Sequence, residues 1–155
     1  MALIAVQTFL NSGIRISSDI TEQEITFAIN TVENFYVKNA LTQEHYNDLI
    51  ANPNTPTNRI LLRGGTLDGV TYAGLMQAEY HLCYAYLMTD TQRITRYSTM
   101  EKNSEFSKNS DREDILQQAR VHWDIGMAFV EEVMKYYNLD TTHNKGNNLF
   151  ETIVF

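Results

Sequence analysis

Four histidines, His45, His81, His122 and His143, are the residues of this chain best suited to acid–base work or metal ligation. A carboxylate-bridged di-metal bundle needs Glu-x-x-His on facing helices, and no glutamate here has a histidine three residues later. His81-Leu82-Cys83 sets two soft ligands side by side. Neighbours two apart on a helix point in different directions, so the plainer reading is a buried cysteine beside a semi-exposed histidine. His122 has Arg120 and Asp124 close in sequence, but on different faces of one helix and with no nucleophile converging by spacing. The stretch RGGTLDG (63–69) lacks the spacing and the Lys-Ser/Thr end of a phosphate-cradling loop, so Gly64-Gly65 reads as a turn. Aromatics and methionines crowd TYAGLMQAEYHLCYAYLM (71–88); at helical spacing such residues supply core area with a polar tip rather than a cofactor box. No catalytic residue, no cofactor and no metal is expected, and the chain does not read as an enzyme.

The totals agree with a non-catalytic globular body. At 155 residues, 43% hydrophobic and 20% charged, the chain has the length and composition of one domain with a real core. A net charge of −7 argues against a protein that grips DNA through a basic face. The balance is uneven, because Arg93, Arg96, Lys102 and Lys108 meet only Glu101 and Glu105 between positions 91 and 110. Four cations and Tyr97 are a minimal phosphate-and-stacking set, which the two glutamates weaken. A lone cysteine excludes an intramolecular disulfide and suits a reducing compartment. The opening MALIAVQTFL is apolar but short and lacks a basic start, so it reads as neither a signal peptide nor a membrane span.

Several elements follow from local signals. Thr21-Glu22-Gln23-Glu24 is a capping box. Behind it Ile25, Ala28, Ile29, Val32 and Phe35 recur at three and four, an amphipathic helix to about Tyr36 with these side chains inward. Thr42 is placed to cap a shorter second helix that buries Tyr46, Leu49 and Ile50. NPNTPTN (52–58) holds both prolines and breaks the chain. In 59–74, Gly64-Gly65 and Asp68-Gly69 mark a tight turn or small hairpin. From about Tyr72 to Met88 nearly every position is apolar or aromatic, which predicts a central helix buried on most sides. Gln77 and His81 on one face and Glu79 on another are its expected exits to solvent or a neighbour. The segment 89–110 has no helical period and reads as a long loop, functional if it is ordered. Asp111 is expected to open the last helix, where Gly126 costs about 1 kcal/mol relative to Ala and is repaid if a neighbouring helix approaches closely. The expected fold is all-α: a compact bundle of three main helices plus short ones (1–137), a long loop (about 90–110) and an extended C-terminal arm (138–155).

Taken together, these pieces resemble something known. The opening segment from Leu3 to Leu49, with its short apolar helix, Ser/Asp turn, amphipathic helix and Leu41…Tyr46…Leu49 second helix, resembles the start of head–tail connector (adaptor) proteins of tailed bacteriophages. LLRGGTLDGVTYAGLMQAEYHLCYAYLMTD, KNSEFS and the closing GMAFVEEVMKYY are similar to the subgroup from Bacteroides-infecting, crAss-like gut phages. The resemblance covers about residues 2–137; residues 138–155 match nothing in it. It implies a helical core assembling as a ring, usually twelve-fold, beneath the portal protein. The ring extends the DNA channel and offers a platform for the next tail protein. DNA would pass without specific binding, along an electronegative wall that does not hold it. No membrane is involved, and the place of action is the virion, reached from the host cytoplasm. The alternative is a small helical DNA-binding or regulatory module.

Two stretches are then candidate contact sites. The chain ends NNLFETIVF, and Leu149, Phe150, Ile153, Val154 and Phe155 form a strand-prone tip on a polar tether, suited to adding a strand to a sheet edge of the portal. The other reading is that the tip folds back and fills a gap in its own core. The loop residues Arg93, Arg96, Tyr97, Met100, Lys102 and Phe106 are expected at subunit contacts. There the cations would pair with acidic groups such as Glu131 and Glu132 of the adjacent copy, each pair worth about 0–1 kcal/mol.

Overall fold

The computed structural model describes residues 2–14, 16, 20–90 and 105–142. In chain order they form α1 (Val6–Leu10), α2 (Glu22–Val32), a π-helical turn (Glu33–Val37), α3 (Lys38–Ala51), α4 (Pro56–Arg63), a hairpin of β1 (Gly65–Leu67) and β2 (Val70–Tyr72), α5 (Leu75–Asp90) and α6 (Glu105–Tyr136). This is an all-α bundle with one small antiparallel ribbon. Among the described residues no helix is long and apolar enough to cross a membrane.

The entry to α2 is set by the expected capping box. Thr21 Oγ1 accepts from the Glu24 amide at 3.2 Å, and Glu24 Oε2 accepts from the Thr21 amide at 2.8 Å. Glu22 and Glu24 also place negative charge on the positive end of the helix dipole. Ile25, Ala28, Ile29 and Val32 are buried, as the spacing requires. Phe35 corrects the pattern: expected inward, it is 63% exposed. The wider π turn at 33–37 inserts phase into the rod, so Glu33 and Val37 face the core and Phe35 faces out. The rod then breaks at Thr42, which has φ 66° and ψ 153°. That conformation is rare for a β-branched residue and costs about 1–3 kcal/mol. Beyond the break Tyr46 and Leu49 are buried and Ile50 is partly buried.

Residues 59–63, expected to belong to a turn, are instead the body of α4. Thr55 caps it by accepting from the Asn58 amide at 3.3 Å, with Pro56 in the first turn. The hairpin follows as expected. Asp68 and Gly69 both have positive φ, 50° and 80°, the two-residue turn that matches strand twist, and it pairs Leu67 with Val70, Thr66 with Thr71 and Gly65 with Tyr72. At its base two chains nearly touch: a Cβ on Gly64 would meet the Ala73 carbonyl at 2.7 Å, and one on Gly74 would meet the Gly64 nitrogen at 2.5 Å.

Helix α5 is the axis of the molecule, with α2, α4 and α6 packed on it. Leu75, Ala78, Leu82, Cys83 and Ala85 are fully buried. Enclosure on so many sides overturns one expectation: Glu79 is not an exit to solvent but has no exposure at all. Gln77 is exposed and His81 half-buried, as expected. Across the α5–α6 seam, a Cβ on Gly126 would lie 2.7 Å from Leu82 Cγ and 2.9 Å from the Ala78 carbonyl. The missing side chain is what lets these two helices approach. Helix α6 begins at Glu105, not Asp111. The Glu105–Ser110 stretch lacks apolar period, but extending an existing helix is far cheaper than nucleating one. The helix ends where Asn138 takes φ 56° and the Leu139 amide reaches back to the Met134 carbonyl at 2.9 Å, a left-handed stop.

Candidate functional site

The two expected contact stretches fall almost wholly outside the described residues. Leu149, Phe150, Ile153, Val154 and Phe155 lie there, as do Arg93, Arg96, Tyr97, Met100 and Lys102. Phe106 is in the first turn of α6, so it belongs to a helix rather than a loop. Of the two acidic groups expected to meet the basic loop, Glu132 is already engaged within its own chain. Its Oε2 accepts from the Ala73 amide at 3.3 Å, tying the end of the hairpin to α6.

The described body instead holds two polar clusters that spacing did not reveal. The first is a pair of carboxyls in the core. Glu33, on the π turn, is 3% exposed, and Glu79, in the middle of α5, is 0% exposed. Glu33 is well supplied with donors: Oε1 accepts from the Tyr46 hydroxyl, and Oε2 accepts from the Leu3 amide at 3.1 Å. Neither oxygen of Glu79 faces a hydrogen-bond donor among the described residues; the polar group within hydrogen-bonding reach of it is the Glu33 carboxyl. Burial raises the Glu79 carboxyl well above its ordinary range, and the neighbouring Glu33 charge adds to this, while Lys38 opposes it weakly. Glu33 is raised by burial too, against the lowering effects of the Leu3 amide and Lys38. Cys83, one turn from Glu79, is buried, and its thiol is pushed up by burial and then by both carboxylates. That keeps it protonated and unreactive, in keeping with the structural reading of His81-Leu82-Cys83.

The second cluster lies on the α5–α6 seam. His81 and His122, which are 41 residues apart, bring their Nδ1 atoms to 2.8 Å. At that distance one Nδ1–H donates and the other Nδ1 accepts, so the rings hold opposite tautomers. The Tyr84 ring sits edge-on to His122 at 4.4 Å and the Phe129 ring edge-on to His81 at 5.8 Å. Burial lowers both imidazoles below their usual range, and for His81 the His122 ring adds to it. One added proton can sit on the bare Nε2 of the donating ring and leave the bond intact, but charging both rings would put hydrogens on both facing Nδ1 atoms, break the bond and set two cations side by side. His45 is placed separately, stacked on the Tyr137 ring at 4.1 Å and 18°. The Tyr137 hydroxyl is pushed up to about 12 by burial, then by Asp48 and Tyr136.

Among the described residues no group of three or more His, Cys, Asp or Glu is placed to hold a metal ion. The aromatic surface is the other feature of note: Phe27 at 60% and Phe35 at 63% exposure stand on the outer side of the α2 rod, with Tyr86 6.4 Å from Phe27. Comparison of this chain with protein-family models, with curated proteins and with solved structures finds no match.

Proposed function

We propose that this chain is a structural virion protein, the adaptor ring between portal and tail of a tailed phage. It extends the DNA channel and docks the next tail component, without catalysis. The observation that carries the reading is the ordered series of segments over residues 2–137 that resembles the connector family. The side chains in that resemblance have a physical role suited to a scaffold, since Leu41, Tyr46 and Leu49 are core residues. A ring subunit also needs apolar outer surface for its neighbours, and Phe27 and Phe35 offer some. The net charge of −7 suits a lumen that repels DNA and lets it slide.

The docking arm is the C-terminal tip. Burying three or four of Leu149, Phe150, Ile153, Val154 and Phe155 against a sheet edge supplies roughly 1.5–3 kcal/mol each, repeated around the ring. The test is electron microscopy of the chain mixed with portal, beside a variant ending at Gly146. The full chain is expected to form rings on the portal, and the shortened chain to stay folded yet fail to join. A shortened chain that unfolds would place the tip in its own core. A full chain that never decorates the portal would refute the adaptor reading. The regulatory alternative is decided separately by whether the purified protein retards DNA at physiological salt; no retardation is expected.

A further inference from the structure

Three segments distant in sequence meet at the buried carboxyl pair: the Leu3 amide donates to Glu33 on the π turn, and the Glu33 carboxyl lies within hydrogen-bonding reach of Glu79 on α5. The two carboxyls are unequal in partners. Glu33 accepts from Leu3 and Tyr46, so both its oxygens already face donors. A proton on Glu33 would set an O–H against one of those donors. Among the described residues Glu79 faces no donor, and it has no contact with solvent, so an ionised Glu79 would be an unpaired charge in the core, beside a second charge of the same sign. A proton on Glu79 removes that charge and converts an orphaned acceptor into a donor next to Glu33.

We infer that Glu33 and Glu79 form a site for a single proton, carried by Glu79, and that this proton latches the N-terminal segment onto the helical body. The inference does not depend on the adaptor reading. The latched segment includes Ile4 and the fully buried Phe9 of α1, and the part-buried Leu3–Glu33 bond ties it to the π turn. Among the described residues few groups face the pair. Lys38 at the start of α3 favours a charged Glu33, and Lys38 itself bonds Asn34 Oδ1 at 2.8 Å. From α3 comes the Tyr46 hydroxyl, and from α5 come Tyr80 and Cys83, both of which an ionised Glu79 would hold further towards their neutral forms. When rising pH strips the proton from Glu79, two negative charges share one desolvated place. The side chain free to retreat is Glu33, because the π turn has already widened the hydrogen-bond ladder around it. Its retreat removes the acceptor from Leu3 and loosens the segment that begins there.

Hydrogen exchange followed by mass spectrometry on the full chain, from about pH 5 to about pH 9 with rates corrected for intrinsic exchange, reads the latch directly. In the wild type, protection of peptides covering residues 3–10 is expected to fall about tenfold or more across that range, while α5 and α6 peptides hold. Glu79→Gln, a fixed mimic of the protonated form, and Glu79→Met, which removes the charge and keeps the bulk, are expected to keep the segment protected throughout. Infrared difference spectra of the wild type at neutral pH supply a second readout, independent of whether a variant folds: a protonated-carboxyl band is expected, absent in either folded variant. A wild type without that band, a wild type whose N-terminal protection ignores pH, or variants that follow the wild-type course would each overturn the inference.

Discussion

Gly126→Ala is the sharpest probe of how this fold is held together, because two known effects act on it with opposite sign. In a helix interior, Ala is more favourable than Gly by about 1 kcal/mol. On helix propensity alone, the variant should therefore gain stability. The seam decides otherwise. The new methyl would sit 2.7 Å from Leu82 Cγ and 2.9 Å from the Ala78 carbonyl, where carbon contacts relax to about 3.5–4.0 Å. Leu82 can turn only within a filled core, as it has no exposure, and the Ala78 carbonyl is helix backbone. Relief therefore requires α6 to back away from α5 by several tenths of an ångström, disturbing Trp123 and Val130 on the same helix. Overpacking of this kind costs about 1–3 kcal/mol; with backbone as one of the obstacles, the upper half of that range applies. The net expectation is a loss of about 1–2 kcal/mol, or about 3–6 °C in Tm for a chain of this size. Urea unfolding at neutral pH measures it, and the double variant Leu82→Ala/Gly126→Ala checks the mechanism, since the alanine at 126 then enters space vacated by the leucine. The double variant should be more stable than the sum of the two single losses by about 1 kcal/mol. A single variant more stable than wild type by the propensity increment would show that α5 and α6 do not meet at Gly126, and the packing argument would fail.

The remaining predictions concern pH and backbone strain. His81 and His122 are lowered by burial, so the unfolded chain takes up their protons first. Stability should fall as pH drops below about 6.5, by up to about 1.4 kcal/mol per pH unit for each imidazole kept neutral, and in His122→Phe this acid limb should shrink; an unchanged limb would refute the pairing. Glu79 has the opposite sign, because its raised value in the folded state gives stability that is present at low pH and lost as pH rises past the unfolded carboxyl range, so Glu79→Gln should flatten that loss in thermal scans. At Thr42, a glycine accepts φ 66° freely. Thr42→Gly should therefore gain up to about 1–2 kcal/mol in urea unfolding, strain relief less the entropy of a glycine, and a destabilised variant would mean that the break in α3 is not strained.

Local signals were legible wherever the physics is local. The Thr21–Glu24 capping box, the Asp68-Gly69 turn and the apolar run that becomes α5 each involve groups within a few residues of one another, so residue type and spacing suffice. The Gly126 expectation also held, because a mid-helix glycine has a cost that only a close neighbour offsets. Helix α4 was readable in principle, since Thr55-Pro56 is a cap and first-turn signal, but two prolines in seven residues look like a plain break. Helix phase was less secure. Phe35 belongs to the inward stripe of an unbroken α-helix, and one π turn moves it to the surface.

Residue types and their order along the chain determined the helical class, the caps, the turn and a central apolar helix, because backbone hydrogen bonding and side-chain periodicity are properties of near neighbours. Only the packed structure decided that Glu79 is sealed inside, that Glu33 stands beside it, and that His81 and His122 share a proton across a seam. Those pairings join residues 46 and 41 positions apart. Their proton affinities follow from desolvation, which exists only once α2, α4 and α6 have closed around α5.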